Sequence, residues 1–391
     1  MRASNSKLNK VQNRNTILKM IAQKAPISRI ELSKLTGLSK MSLTNIISEF
    51  KEEKLVEETG LDSTAKGKRK PVLLELIDGC LCAIGIHITR NYAEGCLADI
   101  KGNIMYSKRV DLKPDFDKDW LVDTILDLVR TIKNMGDRRI VGVGVSSMGP
   151  LDLEKGVILN PTHFNHVENI PIVEEIKKHF DLPVFLCKNT NCAVLAEKYY
   201  GVGKGIENFV YIGVSRGVGS GAVVDDRLIT GRNGFACEIG HLTINPKGEL
   251  CACGNRGCLE QYANIVSAVQ KAKDRVKNGE KTILKGEITF ETIINAAIDK
   301  DPLPSEILDE LCSYLAIGII NLINIFDPQL VVVGNDIAMG GNEIIRRLKE
   351  YVGTVPIAFK RNKVDIKMSK FYDKAPLLGG ATVVFDKLVF A

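Results

Sequence analysis

Residues 251–260 read Cys251-Ala252-Cys253-Gly254-Asn255-Arg256-Gly257-Cys258-Leu259-Glu260. Ten positions before the first of these cysteines stands His241, at the end of Gly234-Phe235-Ala236-Cys237-Glu238-Ile239-Gly240-His241. Three thiolates and one imidazole complete a tetrahedral shell for Zn²⁺. The glycines let a short loop wrap a small ion. Four protein ligands leave no open coordination position, so His241, Cys251, Cys253 and Cys258 predict one structural zinc per chain rather than a hydrolytic one. Glu238 and Glu260 flank this loop. Carboxylates are strong acceptors for hydroxyl groups, although by residue type alone solvated surface charge is the plainer reading of both.

Outward from the loop, the chain alternates strands and helices. Short apolar runs predict strands over 82–88, 93–99 and 104–112, then an amphipathic helix over 118–135 and a buried strand over 139–146. A second series follows: a strand over 184–188, a helix over 191–201, strands over 208–214, 221–225 and 227–231, a helical region over 304–327 and a buried strand over 330–333. Strand-rich starts followed by helices, seen twice, predict two related α/β lobes with a cleft between them.

The first fifth of the chain is different. Ile17, Met20 and Ile21 have helical spacing over 14–24. Ser28 and Glu31 form a capping box that opens a helix over 29–35, in which Ile30 and Leu35 are apolar. Gly37 supplies a tight turn, and Ser39 caps a helix over 40–51 with Leu43, Ile46, Ile47 and Phe50 on one stripe. Helix, Gly turn, helix is a helix-turn-helix pattern, whose second helix enters a DNA major groove by its N-terminal end. Ser39, Lys40, Met41, Ser42, Thr44 and Asn45 then face the bases. Two strand-like runs, 56–58 and 72–76, enclose a polar loop and read as a β wing. In it, Lys68, Arg69 and Lys70 suit a narrow, negative minor groove; a solvated linker is the alternative.

Charge agrees with this division. Residues 1–78 hold 15 Lys and Arg against 9 Asp and Glu, which is the whole of the chain's net +6. The excess is a footprint for a polyanion. With 391 residues, 45% of them hydrophobic, the chain suits two or three domains. No apolar run is long enough to span a membrane, and the polar start MRASNSKLNK lacks a signal-peptide core. The expectation is a cytoplasmic protein whose seven other cysteines (of ten) are reduced, mostly buried thiols.

The segments GFACEIGH (234–241) and CACGNRGCLE (251–260) resemble the ROK family of repressors and sugar kinases, and residues 149–152, 189–197, 217–221 and 330–335 follow in the family order. The resemblance implies a winged helix-turn-helix over 1–78. Behind it comes an α/β, two-lobed, actin/hexokinase-like domain over 79–391 with a structural zinc loop. Its first lobe covers about 79–190 plus a C-terminal return, and its second about 191–375. It implies a sugar held by Asn189, Glu238, His241 and Glu260, a homodimer or tetramer, and operator DNA as partner. His241 would serve both zinc and sugar.

The departures from the kinase pattern are as informative. His87-Ile88-Thr89-Arg90-Asn91 stands where family kinases have Asp-x-Gly-Gly-Thr. Ser215-Arg216-Gly217 replaces Gly-Thr-Gly, and Val333-Gly334-Asn335-Asp336 lacks the paired glycines. Lys188-Asn189 stands where the kinases carry Asn and a catalytic Asp, and an amide cannot accept the sugar hydroxyl's proton. The resemblance therefore implies a sugar-responsive regulator without catalysis, released from DNA by its sugar. An active kinase that binds DNA and a repressor controlled by a protein partner are the competing readings. Thr162, His163, Asn165 and His166 are expected to shape the sugar end of the cleft.

Overall fold

The structure, a computed structural model, describes residues 6–61, 70–162, 164–354 and 364–390. Helix α1 (Ser6–Lys24) buries Ile17, Leu18 and Ile21. It starts well before residue 14 because the polar stretch there holds no Gly or Pro to break it. Strand β1 (Ile27–Ser28), α2 (Arg29–Thr36) and α3 (Lys40–Glu52) follow. The capping box forms: Ser28 Oγ accepts from the Glu31 N–H, and the Ser28 N–H donates to Glu31 at 2.9 Å. Gly37 closes α2 in the left-handed region, at φ 69°.

Helix α2 turns one of its three large apolar residues fully inward. Leu32 is buried, whereas Ile30 and Leu35 are about half exposed. Helix α3 buries Leu43, Ile46, Ile47 and Phe50. Strands β2 (Val56–Leu61) and β3 (Val72–Leu76) pair antiparallel, and β1 adds to the far edge of β3.

Two compact units make up the chain. One runs to Cys187 and resumes at Leu377; the other is Lys188–Pro376. In the first, strands β4 (Cys82–Ile88), β5 (Tyr92–Asp99) and β6 (Ile104–Asp111) form an antiparallel meander. After α4 (Lys118–Lys133), strand β7 (Ile140–Ser147) joins β4 in parallel. A small hairpin, β8 (Leu151–Asp152) and β9 (Val157–Ile158), leads to α5 (Ile172–His179) and β10 (Val184–Lys188). The sheet order is β10-β7-β4-β5-β6.

The second unit repeats that plan. Helix α6 (Asn189–Tyr200) precedes β11 (Phe209–Val214), β12 (Val218–Val224) and β13 (Arg227–Leu228). Helices α7 (Leu259–Tyr262), α8 (Ile265–Lys277), α9 (Phe290–Ile298) and α10 (Pro302–Phe326) come next. Strand β14 (Leu330–Gly334), α11 (Gly341–Gly353) and β15 (Asp365–Met368) complete it, with sheet order β13-β12-β11-β14-β15. In both sheets the first strand is central, its hairpin partners lie to one side, and a parallel strand adjoins it on the other. Phe209 and Tyr211 pack with α6, while Val210, Ile212 and Val214 pack with the α7–α11 layer, as the period of two requires.

The chain returns through α12 (Ala375–Leu388). Gly144 on β7 is required here, because a Cβ there would lie 1.9 Å from the Gly380 carbonyl oxygen. Among the described residues, no helix is long and apolar enough to cross a membrane.

Candidate functional site

The cysteine loop is built by backbone bonds. The Cys251 N–H donates to the Asn255 oxygen at 2.7 Å, and the Gly254 N–H returns to the Cys251 oxygen at 2.9 Å. Gly257 has φ 63°, and a Cβ on it would sit 1.7 Å from the Asn245 oxygen, so no other residue fits. This turn brings the candidate ligand atoms of His241, Cys251, Cys253 and Cys258 within 4.8 Å of one another.

Cys253 Sγ and Cys258 Sγ are 3.7 Å apart, and Cys251 Sγ lies 3.8 Å from His241 Nδ1. Metal–sulfur bonds of about 2.3 Å at tetrahedral angles set a sulfur–sulfur edge of about 3.8 Å. The four residues fit such an ion. The Gln261 amide donates to Cys251 Sγ at 3.4 Å, the kind of outer contact that orients a ligand. Without a metal, burial pushes the Cys251 thiol up to about 12; a divalent cation reverses that preference.

The two acids separate. Glu260 lies against the cluster, its Oε1 3.2 Å from Cys251 Sγ and 3.4 Å from His241 Nδ1. Its other oxygen faces Gly217, where an added Cβ would come within 3.1 Å. Glu238 precedes the short 3-10 turn Ile239–His241 and receives a 2.6 Å bond from Lys188 Nζ. Residue type and spacing gave no sign of this partner, which lies fifty positions earlier. Asn189, expected two residues outside the helix, is the first residue of α6, and its Oδ1 accepts from the Thr190 N–H at 2.8 Å.

Two of the segments that depart from the kinase pattern turn a polar side chain inward. His87 is buried, with Nδ1 3.1 Å from Ser146 Oγ. Asn335 takes the Tyr211 hydroxyl at 2.8 Å and packs against Gly213. Arg216 is exposed.

In the first unit, residues 160–162 and 164–168 line a cavity of about 760 Å³. Asn160, Thr162, Asn165, His166 and Glu168 supply its polar groups and Phe164 an apolar one. His163 lies outside the described residues.

At the N-terminus, Ser39 caps α3 and shares a 3.0 Å contact with Ser42 Oγ, while the Thr44 hydroxyl donates to the Lys40 oxygen. Lys40, Met41 and Asn45 are exposed, Met41 at 77%. Glu49, Glu53 and Glu58 are taken up by Lys10, Arg14, Arg29 and Lys51. Lys70 is exposed; Lys68 and Arg69 lie outside the described residues.

A profile of the ROK family matches residues 83–387, and the chain belongs to that family. It is 31% identical to a xylose repressor of Caldicellulosiruptor bescii, over 99% of this chain and 98% of that one. A solved ROK family transcriptional regulator, a homologue of the Escherichia coli Mlc protein, matches 96% of both chains at 29% identity and TM-score 0.81. A ROK family glucokinase from Streptomyces griseus, solved with glucose and AMPPNP, matches at 26% identity and TM-score 0.69. That match covers 98% of the kinase but 77% of this chain.

Proposed function

We propose that this ROK family member is a sugar-responsive transcriptional repressor without kinase activity. The observation that carries the reading is the surplus at the N-terminus. The family match begins at residue 83, and ahead of it stands a capped helix α3 with an exposed Lys40, Met41 and Asn45. In this reading residues 1–78 form a winged helix-turn-helix. Helix α3 lies in the major groove, and Lys68, Arg69 and Lys70 follow the minor groove.

Asn189, Glu238, His241 and Glu260 take the hydroxyls of a sugar. Zinc on His241, Cys251, Cys253 and Cys258 holds two of those groups in place, His241 and, through its contacts, Glu260. The bound ion supplies structure and no reacting position. The chain works as a cytoplasmic homodimer, because two recognition helices must match half-sites about one helical turn apart. Sugar favours a state in which they no longer match, by as much as its affinity differs between the two states.

Lack of kinase activity follows from Asn189. An amide at the head of α6 cannot act as base, and Asn335 and Arg216 occupy positions where family kinases have small residues. The test is to incubate purified protein with ATP and a panel of sugars, and separately with the DNA upstream of its own gene. DNA protection without phosphate transfer supports the reading. Sugar-dependent ATP consumption would overturn it.

A further inference from the structure

The turn between β4 and β5 is tied more tightly than a hairpin connection needs. Thr89 Oγ1 donates to the Tyr92 oxygen at 2.8 Å and accepts from the N–H groups of Asn91 and Tyr92 at 3.2 and 3.0 Å. The Leu112 N–H donates to the Asn91 oxygen at 2.7 Å. This fixed turn projects one long side chain, Arg90. Its Nε donates to the Thr162 carbonyl at 2.9 Å and its Nη2 to Thr162 Oγ1 at 3.1 Å, seventy-two positions away. Two donors of one planar fork thus hold one residue, a geometry lysine cannot reproduce.

Thr162 belongs to a loop under backbone strain. Its ends are joined where the Asn169 N–H donates to the Leu159 oxygen. Within it Asn165, His166 and Asn169 have φ of 49°, 58° and 53°, the left-handed region that costs a residue with a side chain. Such conformations persist only where the surroundings impose them. Three restraints besides Arg90 do so. Lys118 Nζ donates to the Asn169 oxygen and the Asn165 amide to the Pro114 oxygen, each at 2.7 Å, and Phe164 stacks edge-on to Phe116 at 4.9 Å. The loop so held is the one that lines the cavity of about 760 Å³. That volume lies in the range of small-molecule sites, and its amide, hydroxyl, carboxylate and imidazole groups suit a polyhydroxylated ligand.

We propose that Arg90 is a positioning residue that, through Thr162, clamps residues 160–162 and 164–169 into the shape that selects the sugar. The inference rests on the proposed sugar response. The hairpin that departs from the kinase phosphate-loop pattern has, in this account, become a buttress for ligand selection.

The test uses the full-length chain, the wild type with Arg90→Ala and Arg90→Lys. Amide exchange is followed at Val167 and Asn169, and thermal shift with xylose, glucose, N-acetylglucosamine and allose. Zinc content and sugar-free DNA affinity serve as controls. Loss of the clamp should speed exchange at both amides. It should also weaken the responding sugar about tenfold to a hundredfold, the loss expected for hydrogen bonds from a charged donor. Arg90→Lys should not restore it, and the controls should not move. Unchanged exchange in Arg90→Ala would overturn the clamp, whatever the sugars do. Faster exchange with unchanged sugar affinity would overturn its role in selection. A wild type that responds to no sugar would overturn the sugar response itself, and with it the loop's role in selection, while exchange still decides the clamp.

Discussion

Lys188 Nζ donates to Glu238 Oε1 at 2.6 Å, with the lysine side chain 7% exposed and the glutamate 34% exposed. A cation that deep depends on its counter-charge, whereas the carboxylate keeps contact with water. Removing one partner of such a pair costs most when the charge left behind is the buried one. Glu238→Gln should therefore lose about 1–3 kcal/mol in urea denaturation. Lys188→Met should stay within about 1 kcal/mol of wild type. A Glu238→Gln variant as stable as wild type would show that Lys188 is held by something other than Glu238.

The cysteine cluster predicts about one zinc per chain, from its four ligands. Chelation should lower Tm, and added zinc should restore it, because a ligand of the native state at 1,000 times its Kd stabilises by about 4.1 kcal/mol. Cys258→Ser, at a fully buried position, should abolish both the metal content and the recovery. Folded protein that contains no metal by elemental analysis would remove the cluster's role.

On α3, base reading and phosphate contact should separate. Asn45→Ala and Met41→Ala should each weaken operator binding by about 1–3 kcal/mol while leaving non-specific DNA affinity alone. Lys40→Ala should reduce the slope of affinity against salt by about 1. Replacing Lys68, Arg69 and Lys70 together with Ala should weaken all DNA binding and flatten that slope. An unchanged slope would take the loop out of the interface.

Hydrogen bonds from Lys10 and Arg14 hold the Glu49 carboxyl below its ordinary value of 4.5. A carboxyl depressed in the folded state contributes stability that is full above its unfolded value and is lost as pH falls through the folded one. Wild type and Glu49→Gln should thus differ most above pH ~4.5 and converge in stronger acid. Denaturation across that range checks the sign, and a difference that grows with acid would contradict the assignment.

Much of the architecture was legible in the sequence, and the misses have physical causes. The run Cys82–Ile88 reads as a strand because it is almost continuously apolar, and the structure buries every residue in it. Sequence signals start α6 two residues late because no side chain caps it and nothing marks Asn189 as its first residue. Strand β15, with the sequence DIKM, alternates polar and apolar residues but is a four-residue edge strand, too short to stand out from a loop. In the site, the cysteine cluster was legible because its ligands are close in sequence. The pairs Lys188–Glu238 and Arg90–Thr162 are tertiary, joining residues fifty and seventy-two positions apart. Residue type alone does not rank Ile30, Leu32 and Leu35 on α2, and the helix turns Leu32 to the core.

The most direct test of the account is DNA affinity measured by fluorescence anisotropy on a fragment from upstream of the chain's own gene. It is titrated with a panel of sugars for wild type and Glu238→Ala. The account predicts that one sugar weakens wild-type binding at least about tenfold, a coupling near 1.4 kcal/mol, and leaves Glu238→Ala bound. DNA affinity that no sugar changes, or that a sugar raises, would contradict it.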